Sequence, residues 1–410
     1  MSSKFRVAAG LDPGSSSTRC VVCALEDVHI RFLGAGEAPS RGWAKGRVAD
    51  QEAMAEAVRI AVREAERSAE VSLESVVVGI GGGGVQGFDA RGLYEFGRPR
   101  AIQQDDLTFA IEQATRARLE EDRLLLQVFP QDFTVDGRAG FRNPKGFTCG
   151  RLEANVHLVT ATQRDHQAVV AAVHKAHLAV EETVFEPMAA AYAAVLPEER
   201  SRGVAVLDIG LHSSDIVVYD ADALLRAASI PISGDHFTRD VAWGLCVSYE
   251  DATRLKEEYG CAMLGLTSDN ALIEVPSGEG RAPREAKRRQ LNEILEARAE
   301  ELFWYVKQEL IKARMEQNLM EGIVLVGGSA VLNGLCDMAE RVLNCPARNG
   351  LPSGVEDWPE QLMSPAWTTA AGLAMYSGRL KLYQGINRPR GSGLWSWWNG
   401  SSKQNAAVSR

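Results

Sequence analysis

Short blocks rich in Val, Ile, Leu and Ala alternate along the chain with longer stretches in which apolar residues recur every three or four positions. That alternation predicts an α/β protein. Buried strands are expected at 8–11, 20–25, 75–80, 180–185, 205–207, 216–219, 227–232 and 323–326. Helices are expected at 51–70, 164–178, 188–195, from 237 onward, at 247–259 with Gly260 as C-cap, and at 285–318. In the last of these, Leu291, Ile294, Leu295, Leu302, Phe303, Val306, Leu310 and Ile311 fall at helical spacing and predict a core-facing stripe. The rhythm changes between 86 and 159. An edge strand at 91–96, a helix at 105–119 opened by Asp105-Asp106, and strands at 124–134 and 152–160 around a loop at 138–146 predict an inserted β–α–β–β subdomain. The glycine run 81–84 reads as a flexible joint into it, because no Lys-Ser/Thr follows as a P-loop would require.

One small pattern occurs twice. Gly10-Leu11-Asp12-Pro13-Gly14-Ser15-Ser16-Ser17 and Val206-Leu207-Asp208-Ile209-Gly210-Leu211-His212-Ser213-Ser214 each carry an apolar strand into Asp-x-Gly and a turn rich in hydroxyls, and a second apolar strand follows. A single copy is ordinary turn chemistry. Two copies, each opening an α/β region, point to two hairpins that grip a polyphosphate from opposite sides. Glycine lets the backbone approach phosphate, and the aspartates suit Mg²⁺, which takes oxygen ligands directly or through its waters. A third element, Ile323–Val326 followed by Gly327-Gly328-Ser329 and a helix, offers bare backbone at a helix N-terminus for a nucleoside.

The chain has 410 residues, more than one core holds, so two or more domains are expected. Its net charge of −9 argues against broad nucleic-acid binding. No apolar run approaches the roughly 20 residues of a spanning helix, and a strand follows Met1 too closely for a signal peptide, which predicts a cytosolic chain. Cys20 and Cys23 lie in one strand and point to opposite faces, so they read as packing residues rather than a zinc or redox pair. The other five cysteines are scattered and read as reduced. His174 and His177 lack a third ligand.

The C-terminal tail reverses the charge. No acidic residue follows Glu360, whereas Arg379, Lys381, Arg388, Arg390, Lys403 and Arg410 do. Three of the chain's eight tryptophans sit in the octet 393–400. Leu394, Trp395, Trp397 and Trp398 suit an anionic membrane surface, and a short anchor of this kind binds weakly unless several act together. The alternative is that they pack on the body or on a partner, or that the tail is simply disordered.

Two stretches narrow the reading. The run from Gln127 through Asp132, Asn143-Pro144-Lys145-Gly146 and Arg151 to Val159 resembles the inserted subdomain of FtsA, the bacterial actin-like cell-division family. The run Val184-Phe185-Glu186-Pro187-Met188-Ala189 resembles that family's segment before the second hairpin. The resemblance implies an actin-like two-lobed fold, with two RNase H-like α/β cores and the insertion. It divides the chain into a first lobe core (1–85 and 160–200), the inserted division-specific subdomain (86–159), a second lobe core (201–233 and 320–380), an outer subdomain of that lobe (234–319) and a flexible tail (381–410). It implies ATP and Mg²⁺ in the central cleft. Asp12, Gly14, Ser15 and Ser16 would form the first phosphate hairpin, and Asp208, Gly210, Ser213 and Ser214 the second. Gly234, Asp235, Lys256, Glu257, Gly327, Gly328 and Ser329 would surround the nucleoside, with Asp12 and Asp208 holding the metal. It further implies a peripheral protein at the cytoplasmic face of the inner membrane. That protein would polymerise with itself, bind anionic lipids, tether the tubulin-like FtsZ and recruit other division proteins through the insertion, with at most weak ATP hydrolysis.

The second hairpin departs from the family's Asp-x-Gly-Gly-Gly-Thr-Thr-Asp, because Leu211 and His212 replace two glycines and Ser213 and Ser214 replace the threonines. His212 keeps a hydrogen-bond donor there; the alternative is weak nucleotide binding or poor hydrolysis. Pro13 removes one N–H from the first hairpin. Two other functions compete. A superfamily kinase would need a positioned general base between the lobes, and no such Asp is evident. A pilus-assembly platform protein would share the fold and a similar insertion.

Overall fold

The computed structural model describes residues 6–26, 29–116, 119–268, 270–277 and 282–386. Strands β1 (Arg6–Pro13), β2 (Ser17–Glu26) and β3 (His29–Pro39) form a meander. A small hairpin, β4 (Trp43–Ala44) and β5 (Arg47–Val48), leads to helix α1 (Gln51–Ala69), whose N-cap Asp50 accepts from the N–H groups of Glu52 and Ala53. Strand β6 (Ser75–Ile80) then joins the first sheet beside β1.

The insertion follows as β7 (Val85–Ala101), α2 (Gln104–Thr115), β8 (Arg123–Val135), β9 (Arg138–Phe141) and β10 (Thr148–Thr162). Its sheet order is β7-β10-β8-β9, so the segment expected as an edge strand is one. The loop expected at 138–146 contains an additional strand, β9. The insertion buries its own cluster, with Leu107, Ile111, Phe133, Leu152 and Leu158 at its centre.

The chain returns through α3 (Gln163–Lys175) and β11 (Ala179–Phe185), completing the order β11-β6-β1-β2-β3, and continues into α4 (Glu186–Ala194) and α5 (Pro197–Arg202). The second lobe repeats the meander with β12 (Val204–Ile209), β13 (Ser214–Asp220) and β14 (Ala223–Ile230). Helices α6 (Gly234–Leu245) and α7 (Tyr249–Tyr259), the hairpin β15 (Leu272–Val275) and β16 (Arg284–Lys287), and the long α8 (Arg288–Lys312) form its outer part. The hairpin lies where only loop was expected, and its second strand takes the first residues assigned to the long helix. Strand β17 (Ile323–Val326), α9 (Leu335–Leu343), β18 (Ala347–Asn349) and α10 (Thr368–Ile386) complete the described chain. Cys20 and Cys23 are buried in different clusters, as their spacing predicts.

Strand alternation explains why one core joins the lobes. Val204 and Val206 of β12 pack with first-lobe residues, while Ala205, Leu207 and Ile209 face the second-lobe core. The layer between the two sheets is α4 with α10. They cross so closely that a Cβ on Gly372 would lie 1.8 Å from the Ala189 carbonyl oxygen. The expected tail boundary shifts. Residues 381–386 continue α10, and Lys381 Nζ pairs with Glu181 (2.9 Å) and donates to the Val7 carbonyl (2.7 Å). Arg379 lies over the Tyr192 ring. These two cations serve the body, not a tail. Leu394, Trp395, Trp397 and Trp398 lie outside the described residues.

Glu182 accepts the Tyr376 hydroxyl at 2.8 Å. Burial pushes its carboxyl from 4.5 up to about 7, against the opposing effect of that hydrogen bond. The folded state therefore binds a proton that the unfolded state releases, so this contribution to stability is full below pH 4.5 and disappears as pH rises through about 7. Replacing Glu182 with Gln should flatten the urea-midpoint profile across that window; an unchanged profile would contradict the assignment.

Candidate functional site

The β1–β2 turn and the β12–β13 turn face one another across a single cleft of about 610 Å³, within the range of small-molecule sites. Asp12, Gly14, Ser15 and Ser16 line it from the first hairpin, and Asp208, Gly210 and Ser213 from the second. Gly234, Lys256, Glu257, Gly327, Gly328 and Ser329 line it as well.

The structure leaves Ser214 and Asp235 out of that lining. Ser214 opens β13, so strand alternation turns it away from the cleft once Ser213 faces it; its hydroxyl is buried and donates to the Ile232 carbonyl at 2.6 Å. The Asp235 carboxylate accepts from Arg239 Nε (2.5 Å) and the Tyr249 hydroxyl (2.8 Å), tying α6 to α7. His212 does not reach the cleft either. It lines a second cavity on the far side of the turn, while Leu211 lines the first.

The Gly-Gly-Ser loop does not start an α-helix. Gly327 has φ 88°, Gly328–Val331 form a 3₁₀ turn, and α9 begins at Leu335. A Cβ on Gly327 would lie 2.3 Å from Asp208 Oδ1, so only glycine allows this approach. Ser329 Oγ donates to the Gly210 carbonyl at 3.3 Å, linking the loop to the second hairpin. Lys256 Nζ donates to Thr238 Oγ1 (2.8 Å), and burial holds its amine below the usual lysine value.

Several residues in or beside the cleft escaped the sequence reading. Glu186 opens α4, and Arg19 pairs in register with Asp12 across the first hairpin. Thr369 donates to Asp208 Oδ2 at 2.6 Å, and Asp215 accepts the Gly82 N–H at 2.9 Å. Hairpin register would have found Arg19, because residues paired in an antiparallel ladder share a face. Asp215 closes the repeated motif itself. Nothing in the sequence marks Thr369. The glycine run is also more than a joint, since it holds Asp215 and walls the second cavity.

The electrostatics are one-sided. Burial, then Asp208, pushes the Asp12 carboxyl up to about 7, against the pull of Arg19. Burial pushes Asp215 up to about 6, against the Gly82 N–H. Burial raises Asp208, with the Thr369 hydroxyl and Arg19 opposing. Glu186 is driven well above the carboxylate range by burial and by Asp12, Asp208 and Asp215. Arg19 pairs with Glu37 (2.7 Å) and lies 5.4 Å from the Trp367 ring centroid. A cleft of this composition favours a hard cation. Among the described residues no three acidic, His or Cys side chains converge as direct ligands for a metal ion.

Thr369→Val should remove the hydrogen bond that orients buried Asp208 and lower stability by about 1–3 kcal/mol in urea unfolding, with Thr369→Ser close to wild type. Equal stability for both variants would contradict that role.

Comparison with known proteins places this geometry in a family. The family model described as "Cell division protein FtsA" matches residues 205–372, and that of the "SHS2 domain inserted in FTSA" matches 82–160. The cell division protein FtsA of Pseudomonas aeruginosa is 32% identical over 372 residues, covering 90% of this chain and 89% of that protein. That of Escherichia coli K12 is 31% identical over 379 residues, covering 90% of each. Among solved structures, the PilM-PilN type IV pilus biogenesis complex superposes with TM-score 0.66 at 20% identity, over 90% of this chain and 98% of that one. MreB5 of Spiroplasma citri bound to ADP superposes with TM-score 0.56 at 13% identity, over 94% and 99%. The structural likenesses establish an actin-like fold, and the sequence relatives establish the rest: the chain belongs to the FtsA family of actin-like cell-division proteins.

Proposed function

We propose that ATP with Mg²⁺ occupies the cleft and controls assembly of this chain into polymers at the cytoplasmic face of the inner membrane. There the polymers tie the tubulin-like FtsZ to the membrane, and the inserted subdomain recruits later division proteins. The observation that carries the reading is the pair of hairpin turns opposed across one cavity. Gly14 and Gly210 let phosphate approach bare backbone, and the hydroxyls of Ser15, Ser16 and Ser213 add donors. Gly234, Lys256, Glu257 and the Gly327–Ser329 loop would surround the nucleoside. Asp12 and Asp208 would hold the metal, whose charge would separate the phosphates from the cleft carboxylates. The likeness to an MreB solved with ADP supports this use of the fold.

Membrane attachment falls to the residues beyond Ile386. Arg388, Arg390, Lys403 and Arg410 accompany the Trp395, Trp397 and Trp398 cluster. At about 1 kcal/mol per basic residue near an anionic surface, one tail holds weakly and many tails on one polymer hold firmly. Among the described residues no helix is long and apolar enough to cross a membrane. The pilus-platform reading has only the fold likeness behind it.

Labelled ATP should bind the wild type in the presence of Mg²⁺ and bind Asp12→Ala at least tenfold more weakly; unchanged affinity would remove the hairpin from the phosphate site. Liposome flotation should require residues 391–410 and strengthen with anionic lipid, and equal flotation without them would remove the membrane anchor.

A further inference from the structure

Beyond the two turns lies a second cavity of about 290 Å³, which shares Gly14, Ser15, Ser213 and Glu186 with the cleft. The β4–β5 hairpin, the glycine run and the start of α3 supply its other walls. None of these segments belongs to the repeated phosphate motif.

The chemistry of those walls suits an anion. Lys45 and Arg47 bring two cations to the lining. Asp165 lines it too, but its carboxylate already accepts the Thr162 hydroxyl (2.6 Å) and faces Arg47 (3.6 Å). Glu186 also lines it, at the border with the cleft. In the glycine run, the Gly82 N–H is taken by Asp215 and the Gly82 carbonyl accepts from Val85. The Gly83 and Gly84 N–H groups have no partner among the described residues. A Cβ on Gly83 would meet nothing within 4 Å, so the space over that backbone is open. His212 lines the same cavity, in place of a glycine that would have contributed only backbone. Free backbone N–H groups beside cations form an anion-binding concavity.

We propose that this second cavity binds a tetrahedral oxyanion of phosphate's size and charge, held by Lys45, Arg47, His212 and the Gly83–Gly84 backbone. The inference depends on the nucleotide reading only for the source of the anion. Because Ser15 and Ser213 border both spaces, the occupant is either the last phosphate of a bound triphosphate or free inorganic phosphate. In both cases an anion here bridges the two hairpin turns and holds the lobes in one arrangement.

Equilibrium dialysis of the full chain with radiolabelled inorganic phosphate tests this, without nucleotide and with saturating ADP. Saturable binding of one phosphate per chain is expected. Lys45→Ala/Arg47→Ala should weaken it at least tenfold while ADP affinity, measured separately, changes less than twofold. Gly83→Val, which narrows the cavity where there is room for a side chain, should weaken phosphate binding without lowering the unfolding midpoint. Displacement of phosphate by a nonhydrolysable ATP analogue but not by ADP would identify the terminal phosphate as occupant; persistence would identify free phosphate, and both support the site. Absence of saturable phosphate binding in either nucleotide state, or equal affinity in wild type and both variants, would overturn it. Failure of ADP to bind would instead count against the nucleotide reading of the cleft and leave phosphate binding to be judged on its own.

Discussion

Four carboxylic acids, Asp12, Glu186, Asp208 and Asp215, share one largely desolvated region, and Arg19 offsets the charge of Asp12 and Asp208. Withdrawing ionised carboxylates from water is costly, so an empty cleft of this kind holds protons that its acids would release in solvent. A ligand carrying both a divalent cation and oxyanions, as proposed above, would resolve the conflict. The cation would neutralise the acids, and the turn N–H and hydroxyl groups would meet the anion. The arrangement ties the lobes together, because Asp215 of the second lobe accepts the Gly82 N–H of the first at 2.9 Å.

That charge cluster exists because the backbone forces the hairpins together. The close crossing of α4 and α10 lets both sheets bury a face on one layer, and strand alternation in β12 feeds each lobe's core in turn. The insertion is attached to both lobes. Gln127 Oε1 accepts the Phe185 N–H (3.1 Å) one residue before Glu186, and His157 Nε2 accepts the Ala227 N–H (3.1 Å) on β14. Gln131 donates to the Leu225 carbonyl (3.2 Å) on the same strand. A change in the separation of the lobes would therefore reach the insertion through these polar links, a physical route from the cleft to the surface proposed to recruit partners.

The hairpins and the Gly-Gly-Ser loop were legible because strand–turn–strand chemistry is local and was written twice. What sequence concealed was direction. Ser214 belongs to the motif by spacing but faces inward by strand parity, and His212 turns to the far side of its own loop. Asp235 looked like a nucleoside ligand but is held by Arg239 and Tyr249. Glu186 and Thr369 join the cleft only through tertiary packing, one at the head of α4 and the other on α10, a helix the sequence analysis did not assign. The insertion's outline followed from its change of rhythm, whereas β9 and the strands of the β15–β16 hairpin, at four residues each, were too short to leave a periodic signal. Arg379 and Lys381 looked like tail cations because charge counts ignore where a helix ends.

The central claim is that one polyphosphate lies between the two turns. A crystal grown with Mg²⁺ and a nonhydrolysable ATP analogue addresses it most directly. The account predicts phosphate density within hydrogen-bonding distance of both the 14–16 and the 210–213 turns, with the metal between the phosphates and the carboxylates of Asp12 and Asp208. Nucleotide bound to one hairpin alone, or elsewhere on the chain, would contradict it.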